Sequence, residues 1–176
     1  MMKKRSAIFL AAFAFLAFAI PAQAQTTLYV AGGAAFPTGN YGDAFSTGWM
    51  AAGGVLFGVG DSGFGVGGEI FYGQASAKSE LSTAFGDAKT SPYGVMAIAD
   101  YSFGSEGSLR PYLFGGLGLT VLRISGDEFE SDSESKFGYQ FGAGLSFPIG
   151  LFVEGRYMGA EDANYFGALA GWAFDL

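Results

Sequence analysis

Neither a cysteine nor a histidine occurs in the 176-residue chain. The first absence removes disulfides and thiolate chemistry. The second removes the usual base for a serine nucleophile, so hydrolysis or acyl transfer would need a carboxylate or lysine in its place. Together they take away the nitrogen and sulfur ligands of ordinary zinc sites. Charge is sparse as well: Asp, Glu, Lys and Arg make up only 14% of residues, with a formal balance of −7. An acidic chain lacks the basic footprint that nucleic acid requires. Glycine (30 residues) and phenylalanine (19) are in excess, which is odd for a water-soluble domain.

Lys3, Lys4 and Arg5 precede an uncharged apolar run from Ala7 to Ile20. Pro21 ends the run, and Ala22-Gln23-Ala24 supplies small residues at the two positions a signal peptidase reads. Residues 1–24 are therefore expected to be a secretory signal peptide cleaved after Ala24. The run is shorter than the roughly 20 residues of a helical crossing. Removing it takes three of nine basic residues and none of sixteen acidic ones, which leaves residues 25–176 with a net charge of −10. That span suits one domain. It holds no second long apolar run, so its hydrophobicity needs another explanation.

Alternation supplies it. Phe166, Ala168, Ala170, Trp172, Phe174 and Leu176 share one face of an extended segment, opposite Gly167, Leu169, Gly171, Ala173 and Asp175. Phe137, Tyr139, Phe141 and Leu145 stand likewise opposite Gly138, Gln140, Gly142 and Gly144, as do Tyr93, Val95 and Tyr101 opposite Gly94, Met96 and Asp100. Period two marks strands with unlike faces. A soluble sandwich would turn its large face inward and charged groups outward. Here the second face is small or polar, as in a barrel whose large residues meet lipid.

Eight strands are predicted, at about 27–36, 48–59, 64–73, 92–103, 110–125, 136–147, 151–158 and 164–176. The connections 60–63, 104–109 and 148–150 are short and carry tight-turn residues. Those at 37–47, 74–91, 126–135 and 159–163 are expected to be external, with both chain ends periplasmic. Aromatic residues collect near the strand ends, where bilayer interfaces belong. The fold class is thus an all-β, eight-stranded, antiparallel up-and-down transmembrane barrel over residues 25–176. Its narrow bore accounts for inward glycine.

The segments Arg110–Leu119, Phe141–Phe147 and Leu151–Tyr157 resemble the fifth, sixth and seventh strands of the small outer-membrane β-barrel domain family, the OmpA/OmpX-like barrels of Gram-negative bacteria. Gly171, Trp172, Phe174 and Leu176 resemble that family's C-terminal signal for the barrel-assembly machinery, with Leu176 where Phe or Trp is usual. The resemblance implies a bacterial outer-membrane location, passage past periplasmic chaperones, contact with outer-membrane lipid and lipopolysaccharide, and a monomer. It implies no particular activity, because fold does not fix function.

Three places could carry chemistry. Gly58-Val59-Gly60-Asp61-Ser62-Gly63 matches the dinucleotide G-x-G-x-x-G pattern, but the next residues, from Phe64 to Glu69, read as a strand rather than a helix, so a hairpin turn is expected. Glu69, Asp100, Glu154 and Arg156 fall on inward faces. They could be a carboxylate pair for acid–base catalysis, but the favoured reading is a luminal ion-pair network that fills a narrow barrel. Asp127, Glu128, Glu130, Asp132 and Glu134 crowd the 126–135 connection, read as a solvated loop with at most loose divalent-cation contact, since calcium-loop spacing is missing. No cofactor is expected. The predicted function is a non-enzymatic structural or surface-interaction barrel acting through its external loops. The alternative is a narrow channel for ions or small solutes, apolar ones included.

Overall fold

The computed structural model describes residues 25–78, 88–104, 107–126, 129–161 and 163–176, with 126 and 129–132 described in backbone only. The expected signal peptide lies outside the described residues. Eight strands, β1 Thr26–Thr38, β2 Gly48–Gly58, β3 Phe64–Ser76, β4 Lys89–Ser102, β5 Arg110–Gly126, β6 Phe129–Ser146, β7 Leu151–Ala160 and β8 Ala163–Asp175, close into a barrel in chain order. All neighbours are antiparallel, and β1 meets β8 from Thr27↔Asp175 to Thr38↔Asn164. A tilted strand needs about 9–11 residues to cross a bilayer, and the shortest here, β7, has 10. Among the described residues no helix is long and apolar enough to cross a membrane. The crossing is made by strands.

The faces fall as alternation requires. Ile70, Leu117 and Phe141 are 66%, 58% and 57% exposed on the outer wall, while Met50, Met96 and Phe71 are buried inside it. Large residues on the solvent side would be a liability in water and are what lipid demands. Trp49 and Tyr72 pair at one rim, with ring centroids 5.5 Å apart, and Tyr101 and Phe103 pair near the other at 4.8 Å.

Inward glycines make room for inward rings. Tyr29 lies opposite Gly54, Tyr112 opposite Gly144, Phe114 opposite Gly142 and Phe152 opposite Gly171. A Cβ at Gly54 would stand 2.7 Å from the Tyr29 hydroxyl, and one at Gly144 would overlap the Tyr112 ring. The dinucleotide-like segment is a hairpin: Gly58 ends β2, Gly60 and Gly63 take φ of +57° and +74°, and Phe64 opens β3. Ser62 Oγ closes this turn by donating to the Val59 carbonyl at 2.6 Å.

All four external connections differ from expectation, 159–163 because β7 and β8 pair up to Ala160↔Ala163. Residues 126–135 are not a loop, because β5 and β6 continue pairing up to Gly126↔Phe129 and leave only 127–128 between them. Serine and acidic residues have weak strand propensity, yet here they are carried by the ladder to Val121–Ile124. The pairing of β6 with β7 stops at Tyr139↔Gly159, so this hairpin projects beyond the barrel rim. Residues 74–76 and 89–91 likewise belong to β3 and β4, with 79–87 outside the described residues. The 37–47 connection contains a short helix, α1 Gly39–Ala44.

Candidate functional site

Five strands send polar side chains into one buried cluster. Glu69 comes from β3, Glu154 and Arg156 from β7, Gln140 from β6, and Tyr29 and Tyr112 from β1 and β5. The side chains of Arg156, Glu69 and Glu154 are 1%, 0% and 5% exposed. Glu154 and Arg156 point the same way because they are two apart on a strand.

The guanidinium is used on all sides. Arg156 donates from Nη1 to Glu69 Oε1 at 2.7 Å and from Nη2 to Glu69 Oε2 at 3.0 Å, a bidentate fork. Its Nε donates to Glu154 Oε1 at 2.8 Å, and Nη2 contacts the same oxygen. Nη1 also reaches Gln140 Oε1 at 3.2 Å. Phe114 lies under the guanidinium, with Cζ 5.2 Å from the ring centroid. One cation faces two carboxylates, so a negative charge remains, and neutral donors complete its solvation. Tyr29 donates to Glu69 Oε2 at 2.8 Å, Gln140 Nε2 to Glu69 Oε1 at 3.0 Å, and Tyr112 to Glu154 Oε2 at 2.8 Å. Buried charges without such partners would be costly.

Three of the four expected luminal residues thus meet, and Asp100 does not. It occupies an inward position of β4, but its register partner Phe114 takes the place beneath Arg156. Asp100 Oδ1 has no hydrogen-bond partner among the described residues. Tyr29, Tyr112 and Gln140 complete the network without having been expected in it. For Gln140 the signal in the sequence is a large polar side chain among Gly138, Gly142 and Gly144, while Tyr29 and Tyr112 stand on faces of mixed size that do not single them out.

External to this cluster the lumen is mostly apolar, with Thr120 among its buried residues. Met50, Met96, Met158 and Phe71 pack into it and leave a cavity of about 10 Å³, the lower limit for a single water. At the external mouth the α1 residue Tyr41 bonds to Thr90 Oγ1 and packs edge-on against Tyr165, ring centroids 5.0 Å apart. Nothing in the sequence pattern singles out Tyr41.

Of the acidic segment, Asp127 and Glu128 lie outside the described residues, as do the side chains of Glu130 and Asp132. Glu134 is engaged by Lys136 at 2.6 Å, and Lys136 also reaches Glu161 at 2.5 Å, tying the hairpin to the β7–β8 turn. Among the described residues no group of three potential ligands could hold a metal. At the chain's end, Gly171 sits against the Phe152 ring, while Trp172, Phe174 and Leu176 are exposed on the lipid face.

Comparison with known proteins agrees with this architecture. No curated protein matches the chain by sequence. Neisserial surface protein A, a crystal structure, superposes with a TM-score of 0.65 at 15% identity, over 86% of this chain and 97% of that one. The outer membrane protein OprG from Pseudomonas aeruginosa gives 0.50 at 14% identity, over 88% and 99%. At such identities the likeness is one of fold. The family model for the outer membrane protein beta-barrel domain matches residues 7–174. The chain belongs to that family and is a protein of the bacterial outer membrane.

Proposed function

We propose that this barrel is a closed, non-enzymatic membrane scaffold that acts at the cell surface through its external loops and the projecting β5–β6 hairpin. The observation that carries this is Arg156, on β7, locked across the bore to Glu69 on β3. With Tyr29, Tyr112 and Gln140 bonded to the same carboxylates, the cluster spans the lumen at one level. The methionine-lined section and Tyr41 occupy the space toward the external mouth. Ions would have to displace a fully paired, buried charge cluster to pass.

The same packing argues against catalysis. Glu69 and Glu154 spend their lone pairs on Arg156, the tyrosines and Gln140, and neither is open to a substrate. A carboxylate serving as general acid or base must be within hydrogen-bond reach of a substrate proton. Closure of β1 on β8 supports a monomer, since no edge is left within the barrel to pair with a second copy. The exposed Trp172, Phe174 and Leu176 at the chain's end are the side chains the assembly machinery would read.

Planar-bilayer recording of the refolded protein tests the closed state. Silence or rare small events are expected. Reproducible discrete steps would instead establish a narrow channel, and a Glu69→Ala variant more conductive than the native protein would locate its gate.

A further inference from the structure

Residues 25–176 contain three methionines, Met50 on β2, Met96 on β4 and Met158 on β7. All three line the small cavity between the Arg156 cluster and the external mouth, and they are only 1%, 1% and 4% exposed. None of the large apolar side chains exposed on the lipid face is a methionine. We propose that this cavity is a thioether site for a soft monovalent cation of the Cu(I) and Ag(I) class.

Glycines on the neighbouring strands let these side chains converge. Met96 stands opposite Gly118 on β5 and extends toward β6. A Cβ at Gly118 would lie 2.9 Å from Met96 Sδ, and one at Gly138 2.9 Å from its Cε. Met50 reaches over Gly73 in the same way, its Cε 3.8 Å from where a Cβ would stand. The cavity they share is about 10 Å³, room for a single small occupant. Its other lining residues, Phe71, Pro92 and Thr120 among them, are uncharged. Imidazole, thiolate and carboxylate ligands form no group of three among the described residues, whereas the thioethers do gather. Hard cations such as Ca²⁺ and Mg²⁺ require a shell of oxygens. Thioether sulfur selects soft ions, Cu(I) first among them.

Methionine also fills gaps in ordinary cores, so convergence alone does not make a site. Charge supplies the independent argument. Glu69 and Glu154 share the single cation Arg156, which leaves the buried cluster one negative charge in excess. Met96 is the direct cross-strand partner of Glu69, and Met158 that of Gln140, which donates to Glu69. Directly opposed side chains are neighbours. The methionine cavity therefore borders the excess charge. Thioethers are neutral, so a monovalent ion among them would bring the buried group to zero, while a divalent ion would leave it positive. Buried charge is stable only when it is compensated. Soft ligands and a deficit of one positive charge thus specify the same occupant.

The experiment uses untagged protein extracted from outer membranes, unfolded in urea and refolded into neutral-detergent micelles with silver nitrate in chloride-free buffer. Refolding loads the cavity without requiring an entry path. The chain has no cysteine or histidine to compete for silver. One silver per chain should co-elute on gel filtration, measured by mass spectrometry of the metal. At a hundredfold excess over the dissociation constant, the urea midpoint should rise by about 1 M. The variant Met50→Leu, Met96→Leu, Met158→Leu conserves core volume, a tolerated kind of exchange, and should bind no silver. Unboiled gel mobility establishes that each variant is folded. If the triple variant does not fold, Met96→Leu alone replaces it. Groups that merely orient a ligand contribute about 10–100-fold to metal affinity, so loss of one thioether should weaken binding roughly 100-fold. Glu154→Gln removes the excess charge and keeps the thioethers. At about 10 Å and an effective dielectric of about 20, it should weaken silver roughly tenfold at unchanged stoichiometry. Three results would overturn the proposal: no silver on the native protein, equal silver on the native protein and the methionine variant, or equal affinity of Glu154→Gln and the native protein. Displacement of silver by equimolar Ca²⁺ would also overturn it, since a thioether site has nothing to offer a hard ion.

Discussion

Replacing Arg156 with methionine keeps much of the side-chain volume and removes the only described cation bonded to Glu69 and Glu154. Five hydrogen bonds disappear with it: two to Glu69, two to Glu154 and one to Gln140. Glu69 would keep Tyr29 and Gln140, and Glu154 would keep Tyr112. Breaking a buried pair by deleting one partner costs about 3–5 kcal/mol, because the remaining charge is stranded. With a urea slope of roughly 2 kcal/mol per molar for a domain of this size, the unfolding midpoint should fall by about 1.5–2.5 M. Urea titration of the protein in lipid vesicles, scored by unboiled gel mobility, reads that shift. The charge argument makes a second demand. A variant that also carries Glu69→Gln and Glu154→Gln strands no charge and should recover most of the loss, since neutral isosteres of buried ion pairs are often nearly as stable. The reasoning fails if Arg156→Met moves the midpoint by less than about 0.5 M, or if the triple substitution is less stable than Arg156→Met alone.

Two further substitutions probe the same cluster from its edges. Gly144→Val places a branched side chain where the Tyr112 ring lies, and overpacking of this kind costs about 1–3 kcal/mol. The urea midpoint should drop for Gly144→Val in the native background but much less when Tyr112→Ala is already present; additive losses would show that the ring is not what the glycine accommodates. Tyr29→Phe removes the hydroxyl that donates to Glu69 and leaves the ring in place. A hydrogen bond to a charged group contributes about 1.5–3 kcal/mol, so the midpoint should fall by about 1 M. An unaltered midpoint would mean that Arg156 and Gln140 alone suffice for Glu69.

The features legible in the sequence and those hidden in it divide along physical lines. The faces of β8 were legible because Phe166, Trp172 and Phe174 differ so much in bulk from Gly167 and Gly171. Strand geometry turns that contrast directly into inside and outside. The partnership of Glu154 with Arg156 was legible for the same local reason. That Arg156 meets Glu69 from across the bore, and misses Asp100, was not. Both carboxylates share the inward face, and which one faces the guanidinium is set by the stagger of a closed barrel, which no local pattern encodes. Register errors explain the missing tyrosine as well. A hairpin loop over 126–135 would set Tyr112 opposite Ile149, beyond the end of β6, whereas pairing that continues to Gly126↔Phe129, with a register shift between Ile124 and Gly126, sets it opposite Gly144. A shift of five positions also changes the face, because side chains alternate with period two. The acidic and serine-rich stretch that concealed the continued pairing of β5 with β6 is therefore what concealed the Tyr112–Glu154 bond. Once the register is correct, the glycines report the lumen's contents: Gly54, Gly142, Gly144 and Gly171 each stand opposite an inward aromatic ring. Part of the glycine excess is thus the imprint of a filled bore, and a barrel of this width built to conduct would have no need of such pairs.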